Sequence, residues 1–127
     1  MDINERAKKI KLLLLDVDGV LTDGKLLIGS YGDQIKSFDI KDGLGVFLLR
    51  KSGIPSAILT ARSSNVVKIR AKLIGIKKIY ENHYKIKSLQ DIKRRFRVNE
   101  EEICFMGDDV IDLPIFKRVG FAVAVPK

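Results

Sequence analysis

Two aspartates separated by one residue, Asp16 and Asp18, follow directly on four leucines, Leu12 to Leu15, and precede Gly19. An apolar run that stops at a carboxylate is the pattern of a buried strand of a parallel sheet whose end carries chemistry. Ligands of such sheets bind beyond the carboxyl ends of the strands. Two carboxylates this close repel each other, so the site calls for a cation or a proton between them. Mg²⁺ fits, because it takes oxygen ligands and often keeps only one or two carboxylates alongside phosphate and water. The competing reading makes both aspartates ordinary turn or helix-capping residues.

Other apolar runs end in residues of complementary type. Ser56-Ala57-Ile58-Leu59 ends at Thr60, and Ile103-Cys104-Phe105-Met106 ends at Gly107-Asp108-Asp109. Lys85 opens a helical stretch after a third short strand. One sheet edge then gathers carboxylates, a hydroxyl and an ammonium. Carboxylates bind the metal, and the hydroxyl and ammonium bind a phosphoryl group. In that arrangement Asp16 attacks phosphorus, and Asp18 protonates the leaving oxygen and then activates water. Asp109 and Asp112 read as support behind the metal ligands, Asp112 mostly as a charge favouring a helix N-terminus.

These residues need an alternating frame. Strands are expected at 12–15, 56–60, 76–80, 103–106 and 121–125. Helices are expected at 44–52, from Ser63 or Ser64 to about Leu73, at 85–96 and at 110–119, after a charged lead-in over 1–11. The expected class is therefore α/β, a Rossmann-like parallel sheet sandwiched by helices. After strand one, 25–29 and 34–40 read as a small β-hairpin around Ser30-Tyr31-Gly32-Asp33.

Composition narrows the class. The 127 residues suit a single domain over 1–127. The chain carries 24 Lys and Arg against 16 Asp and Glu, a formal net charge of +8. That balance favours an anionic partner. The basic residues interleave with acids, and no nucleic-acid motif is present, so neither DNA nor RNA is expected. No apolar run reaches membrane-spanning length, and the N-terminus lacks the apolar core of a signal peptide. Cys104 is the single cysteine, which excludes an internal disulfide and points to the cytoplasm and to a packing role.

Taken together, Asp16-Val17-Asp18-Gly19-Val20-Leu21-Thr22-Asp23-Gly24, Leu59-Thr60-Ala61-Arg62 and Gly107-Asp108-Asp109-Val110-Ile111-Asp112-Leu113-Pro114 resemble the haloacid dehalogenase superfamily. They are most similar to its capless branch of 3-deoxy-manno-octulosonate 8-phosphate phosphatase type. The resemblance runs from Lys11 to Pro126. It implies Asp16 as nucleophile, Asp18 as acid and base, Thr60 as phosphate ligand and Lys85 as the charge-neutralising lysine. It implies Mg²⁺ held by Asp16, Asp108 and the main-chain carbonyl of Asp18. It also implies contacts to a sugar acid from Asp39, Lys41, Asp42 and Gly43, and from Arg62 and Arg70. Lys41 stands where the branch has arginine, and Ala61 where it usually has glycine. The branch forms homotetramers through the hairpin and continues into a further helix and tail, which a chain ending at Lys127 would lack. Related expectations are a nonulosonate 9-phosphate substrate, or a non-catalytic scaffold for a sugar-nucleotide synthetase. A receiver domain is disfavoured, because the third strand ends at Tyr80-Glu81-Asn82 without an aspartate.

Overall fold

A computed structural model describes residues 2–125. Helix α1 (Ile3–Lys8) leads into β1 (Leu12–Leu15), followed by β2 (Leu27–Ile28), β3 (Gln34–Ile35), α2 (Ile40–Lys51) and β4 (Ser56–Thr60). Then come α3 (Asn65–Leu73), β5 (Ile79–Glu81), α4 (Leu89–Phe96), β6 (Ile103–Gly107), α5 (Leu113–Phe116) and β7 (Phe121–Ala124). Five strands form one parallel sheet in the order β5-β4-β1-β6-β7. The expected α/β sandwich is what the chain adopts.

The leucine run occupies the centre of the sheet because it can bury both faces. Leu12 and Leu14 face one core with Leu59, Ile92, Ile103, Phe105 and Ile115. Leu15 faces the other with Val17, Val46, Ile58, Val67 and Ala71, and half-buried Leu13 packs against the same cluster. Successive strand residues point to opposite faces, so one uninterrupted apolar segment serves two layers. Helices α4 and α5 cover the first face, and α2 and α3 the second. Among the described residues no helix is long and apolar enough to cross a membrane.

Capping sets several boundaries. The Ser64 hydroxyl accepts from Val67 N–H at 3.4 Å and starts α3. Asp39 accepts from Lys41 N–H at 2.8 Å and starts α2 at Ile40, four residues before the expected helix. This cap also corrects the expected strand at 34–40, which shrinks to Gln34–Ile35. Its partner shrinks likewise, from 25–29 to Leu27–Ile28. The third strand starts at Ile79 rather than Ile76. The helix expected at 110–119 divides into a 3-10 turn over Val110–Asp112 and the short α5, with Pro114 in its first turn.

The hairpin leaves the sheet between β1 and α2. The Gly29 N–H donates to the Asp33 carbonyl at 2.8 Å, closing the turn. Leu27, Ile28 and Ile35 are 64%, 66% and 60% exposed, so this small ribbon presents an apolar surface outward. An antiparallel bridge between Thr22 and Phe38 ties its base to the chain after β1.

Candidate active site

Everything converges beyond the carboxyl ends of β1, β4 and β6. Past β1 the Val17 carbonyl accepts from the N–H groups of Val20, Leu21 and Thr22 at 3.1, 2.8 and 3.1 Å. The Thr22 hydroxyl accepts from Gly19 and Gly24 N–H at 3.2 and 3.1 Å. This tight coil needs Gly19, which sits at φ +83°. A Cβ there would also overlap the Asp108 carboxylate. The coil turns Asp16 inward, to 6% exposure, and Asp18 outward.

Lys85 enters from the turn before α4, and its side chain is 1% exposed. Its ammonium lies 3.1 Å from Asp16 Oδ1 and 2.6 Å from Asp112 Oδ1. Asp112 is fully buried. Its second oxygen accepts from the Asp108 and Asp109 N–H groups at 3.2 and 3.3 Å, so the loop after β6 folds around it. Gly107 leaves the room, since a Cβ there would overlap the Asp112 carboxylate. Asp112 thus does more than favour a helix end: it fixes the lysine on one side and the Asp108 backbone on the other. Asp109 caps the turn that follows, accepting from Val110 N–H at 2.6 Å.

Burial pushes the Asp16 carboxyl up to about 6, with nearby Asp112 adding to the rise. Lys85 and the Val17 N–H, which donates at 2.7 Å, pull the other way. Asp16, Asp108 and Asp112 each offer a carboxylate oxygen within 4.8 Å of the others. Three carboxylates against one ammonium leave a negative, largely desolvated cluster, which suits a hard cation.

Thr60, 2% exposed, closes the rear of the site, and its hydroxyl donates to the Arg62 carbonyl at 3.1 Å. The Arg62 side chain is exposed. Above Asp108 lies an open cleft of about 1190 Å³, walled by the coil after β1, by residues 37–42 and by Val125. Asp39, Lys41 and Asp42 line it, and of the acidic cluster only Asp108 reaches it. Arg70 serves this wall from behind. Its guanidinium donates to the Asp39 carbonyl at 2.8 Å and lies 5.7 Å from the Phe38 ring centroid. Gly43 packs against Ile74, where a Cβ would sit 3.1 Å from a methyl group.

Asp18 stands apart from the cluster and pairs with Lys36 of the hairpin at 2.9 Å. Sequence reasoning passed over Lys36 and Thr22. The hairpin alternation does place Lys36 on one defined face, but nothing local says that this face meets Asp18.

A family model for haloacid dehalogenase-like hydrolases matches residues 59–127, more than half of the chain. The chain belongs to this family. Among curated relatives of this chain, the 3-deoxy-D-manno-octulosonate 8-phosphate phosphatase of Escherichia coli strain B is 37% identical over 125 residues, covering 98% of this chain. The chain spans 66% of that relative's length. The crystal structure of the same-named phosphatase from Yersinia pestis superposes with a TM-score of 0.91 at 36% identity, covering 94% of this chain and 65% of that one. The Moraxella catarrhalis enzyme superposes at 0.90 with 37% identity, covering 99% and 76%, and its structure is a complex with a magnesium ion, a phosphate ion and a KDO molecule.

Proposed function

We propose that this hydrolase is a Mg²⁺-dependent phosphatase of a small phosphorylated sugar acid, of the 3-deoxy-D-manno-octulosonate 8-phosphate type. The observation that carries the reading is the buried Asp16–Lys85–Asp112 chain, with Asp108 beside it lining the cleft. Mg²⁺, when bound by Asp16, Asp108 and the Asp18 carbonyl, neutralises charge between nucleophile and phosphate. Asp112 holds the Lys85 side chain in place behind them.

Asp16 Oδ forms a bond to phosphorus while the ester P–O bond breaks, and the departing sugar oxygen takes its proton from Asp18. Water then attacks the aspartyl-phosphate, Asp18 takes the water's proton, and the Asp16 O–P bond breaks to release inorganic phosphate. Lys85 and Thr60 hold the phosphoryl oxygens through both steps. The cleft wall supplies Lys41, and the loop after β4 supplies Arg62, as cations for a substrate carboxylate. Asp109 supports the Asp108 loop.

The apolar hairpin supports a homotetramer in which ribbons from several chains pair. The single cysteine and the basic, interleaved surface support a cytoplasmic enzyme of one domain acting on a small anion rather than on nucleic acid.

Phosphate release from a panel of acidic and neutral phosphosugars tests the assignment. Sugar-acid phosphates are expected to lead, and Lys41→Ala with Arg62→Ala to erase that preference. An unchanged preference in the double variant would remove the carboxylate-reading role. No release from any substrate would point to the scaffold instead.

A further inference from the structure

The acid that the proposed reaction needs, Asp18, is anchored differently from the other carboxylates. Asp16 is held by a backbone N–H and by Lys85, and Asp112 by two backbone N–H groups and Lys85. Asp18 has one recorded partner among the described residues, the Lys36 ammonium at 2.9 Å. The Asp18 side chain is 56% exposed, whereas that of Lys36 is 8% exposed. An ammonium so thoroughly covered loses much of its hydration and has strong reason to keep its counter-ion. Its neighbours in the chain, Ile35 and Ser37, are exposed, so Lys36 alone turns inward just past the end of β3. The hairpin therefore directs one cation at one carboxylate.

We infer that Lys36 is the positioning residue that fixes the Asp18 carboxylate in the orientation used for proton transfer to the leaving group. This rests on the phosphatase reading for the role of Asp18, but not for the pairing itself. Without Lys36, a side chain that is half in water and has no backbone anchor samples several rotamers. The hairpin then becomes part of the machinery for acid catalysis as well as an apolar surface.

The test pairs kinetics with structure. Lys36→Met keeps the apolar stem, and Lys36→Arg restores the charge. From a sugar phosphate the sugar departs as an alkoxide and needs the proton, whereas from p-nitrophenyl phosphate p-nitrophenolate departs as a stable anion and does not. In single turnover, Lys36→Met is expected to slow aspartyl-phosphate formation from the sugar phosphate by about thirtyfold or more, with KM within about threefold and formation from p-nitrophenyl phosphate nearly unchanged, while the water-attack step, which uses Asp18 for either substrate, slows for both. Lys36→Arg is expected to recover a large part of the loss. Equal loss on both substrates in aspartyl-phosphate formation, or no loss on either substrate in either step, would overturn the inference. Crystal structures of the parent and of Lys36→Met, or of Lys36→Gln if the first does not fold, provide a readout that needs no turnover. Asp18 is expected in one rotamer in the parent and in several in the variant. An unchanged single rotamer would overturn the positioning role even if the protein proves not to be a phosphatase, and absent phosphate release from the parent would overturn only the phosphatase reading.

Discussion

Asp16 is poised because its surroundings pull in opposite directions. Desolvation raises its pKa, and Lys85 with the Val17 N–H keeps the rise moderate. Its proton is held more tightly in the folded protein than in the unfolded chain. Raising the pH from 3.8 to about 6 therefore costs folding stability. The penalty is absent below that window and complete above it. In chelator at neutral pH, Asp16→Asn is expected to be more stable than the parent by about 1–3 kcal/mol, a difference that disappears near the lower end of the window. Urea unfolding of both proteins across that range reads it, and a variant less stable throughout would contradict the desolvated site. Asp112 behaves oppositely. Removing it leaves the Lys85 ammonium with one partner and strands two N–H groups of the Asp108 loop. Asp112→Ala is expected to cost about 3–5 kcal/mol in denaturant unfolding; a loss below about 1 kcal/mol would mean that the cluster is not cooperatively held.

At the scale of elements, the coil after β1 decides the geometry. It separates two aspartates in adjacent alternation by sending one into the core and one to the hairpin. Gly19→Ala forces a side chain into a left-handed conformation and onto the Asp108 carboxylate. The expected result is a destabilisation of about 2 kcal/mol or more and a weakened Mg²⁺ isotherm by calorimetry. Unchanged affinity would separate this glycine from the metal site. The sheet was legible in the sequence because its apolar runs are short, unbroken and end in polar residues. Leu12–Leu15 and Ser56–Thr60 could hardly be anything else. The hairpin was legible in existence but not in extent. Gln34 to Ile40 alternates like a strand, yet Asp39 finds the Lys41 N–H and begins a helix instead. The Lys36–Asp18 and Lys85–Asp112 pairs span 18 and 27 residues. Such contacts exist only once the topology has closed, so residue type gives little warning of them.

The whole molecule presents two surfaces that a lone monomer does not need. The hairpin exposes Leu27, Ile28 and Ile35, and α2 exposes Leu44, Phe47 and Leu48. Apolar surface of this kind marks association sites. Light scattering at micromolar concentration is expected to give the mass of a tetramer, and Ile28→Lys with Ile35→Lys to give a smaller species. A parent that remains monomeric would reject the assembly. The net charge of +8 belongs to the same scale: it draws small anions towards a site whose innermost groups are themselves acidic.

The most direct test of the central claim is phosphate release from 3-deoxy-D-manno-octulosonate 8-phosphate by the parent and by Asp16→Asn, each with Mg²⁺ and after exhaustive chelation. The account predicts release by the parent only with the metal, and a loss of about a thousandfold or more in Asp16→Asn, because the nucleophile and a metal ligand fail together. Release by Asp16→Asn within about tenfold of the parent, or undiminished release after chelation, would contradict it.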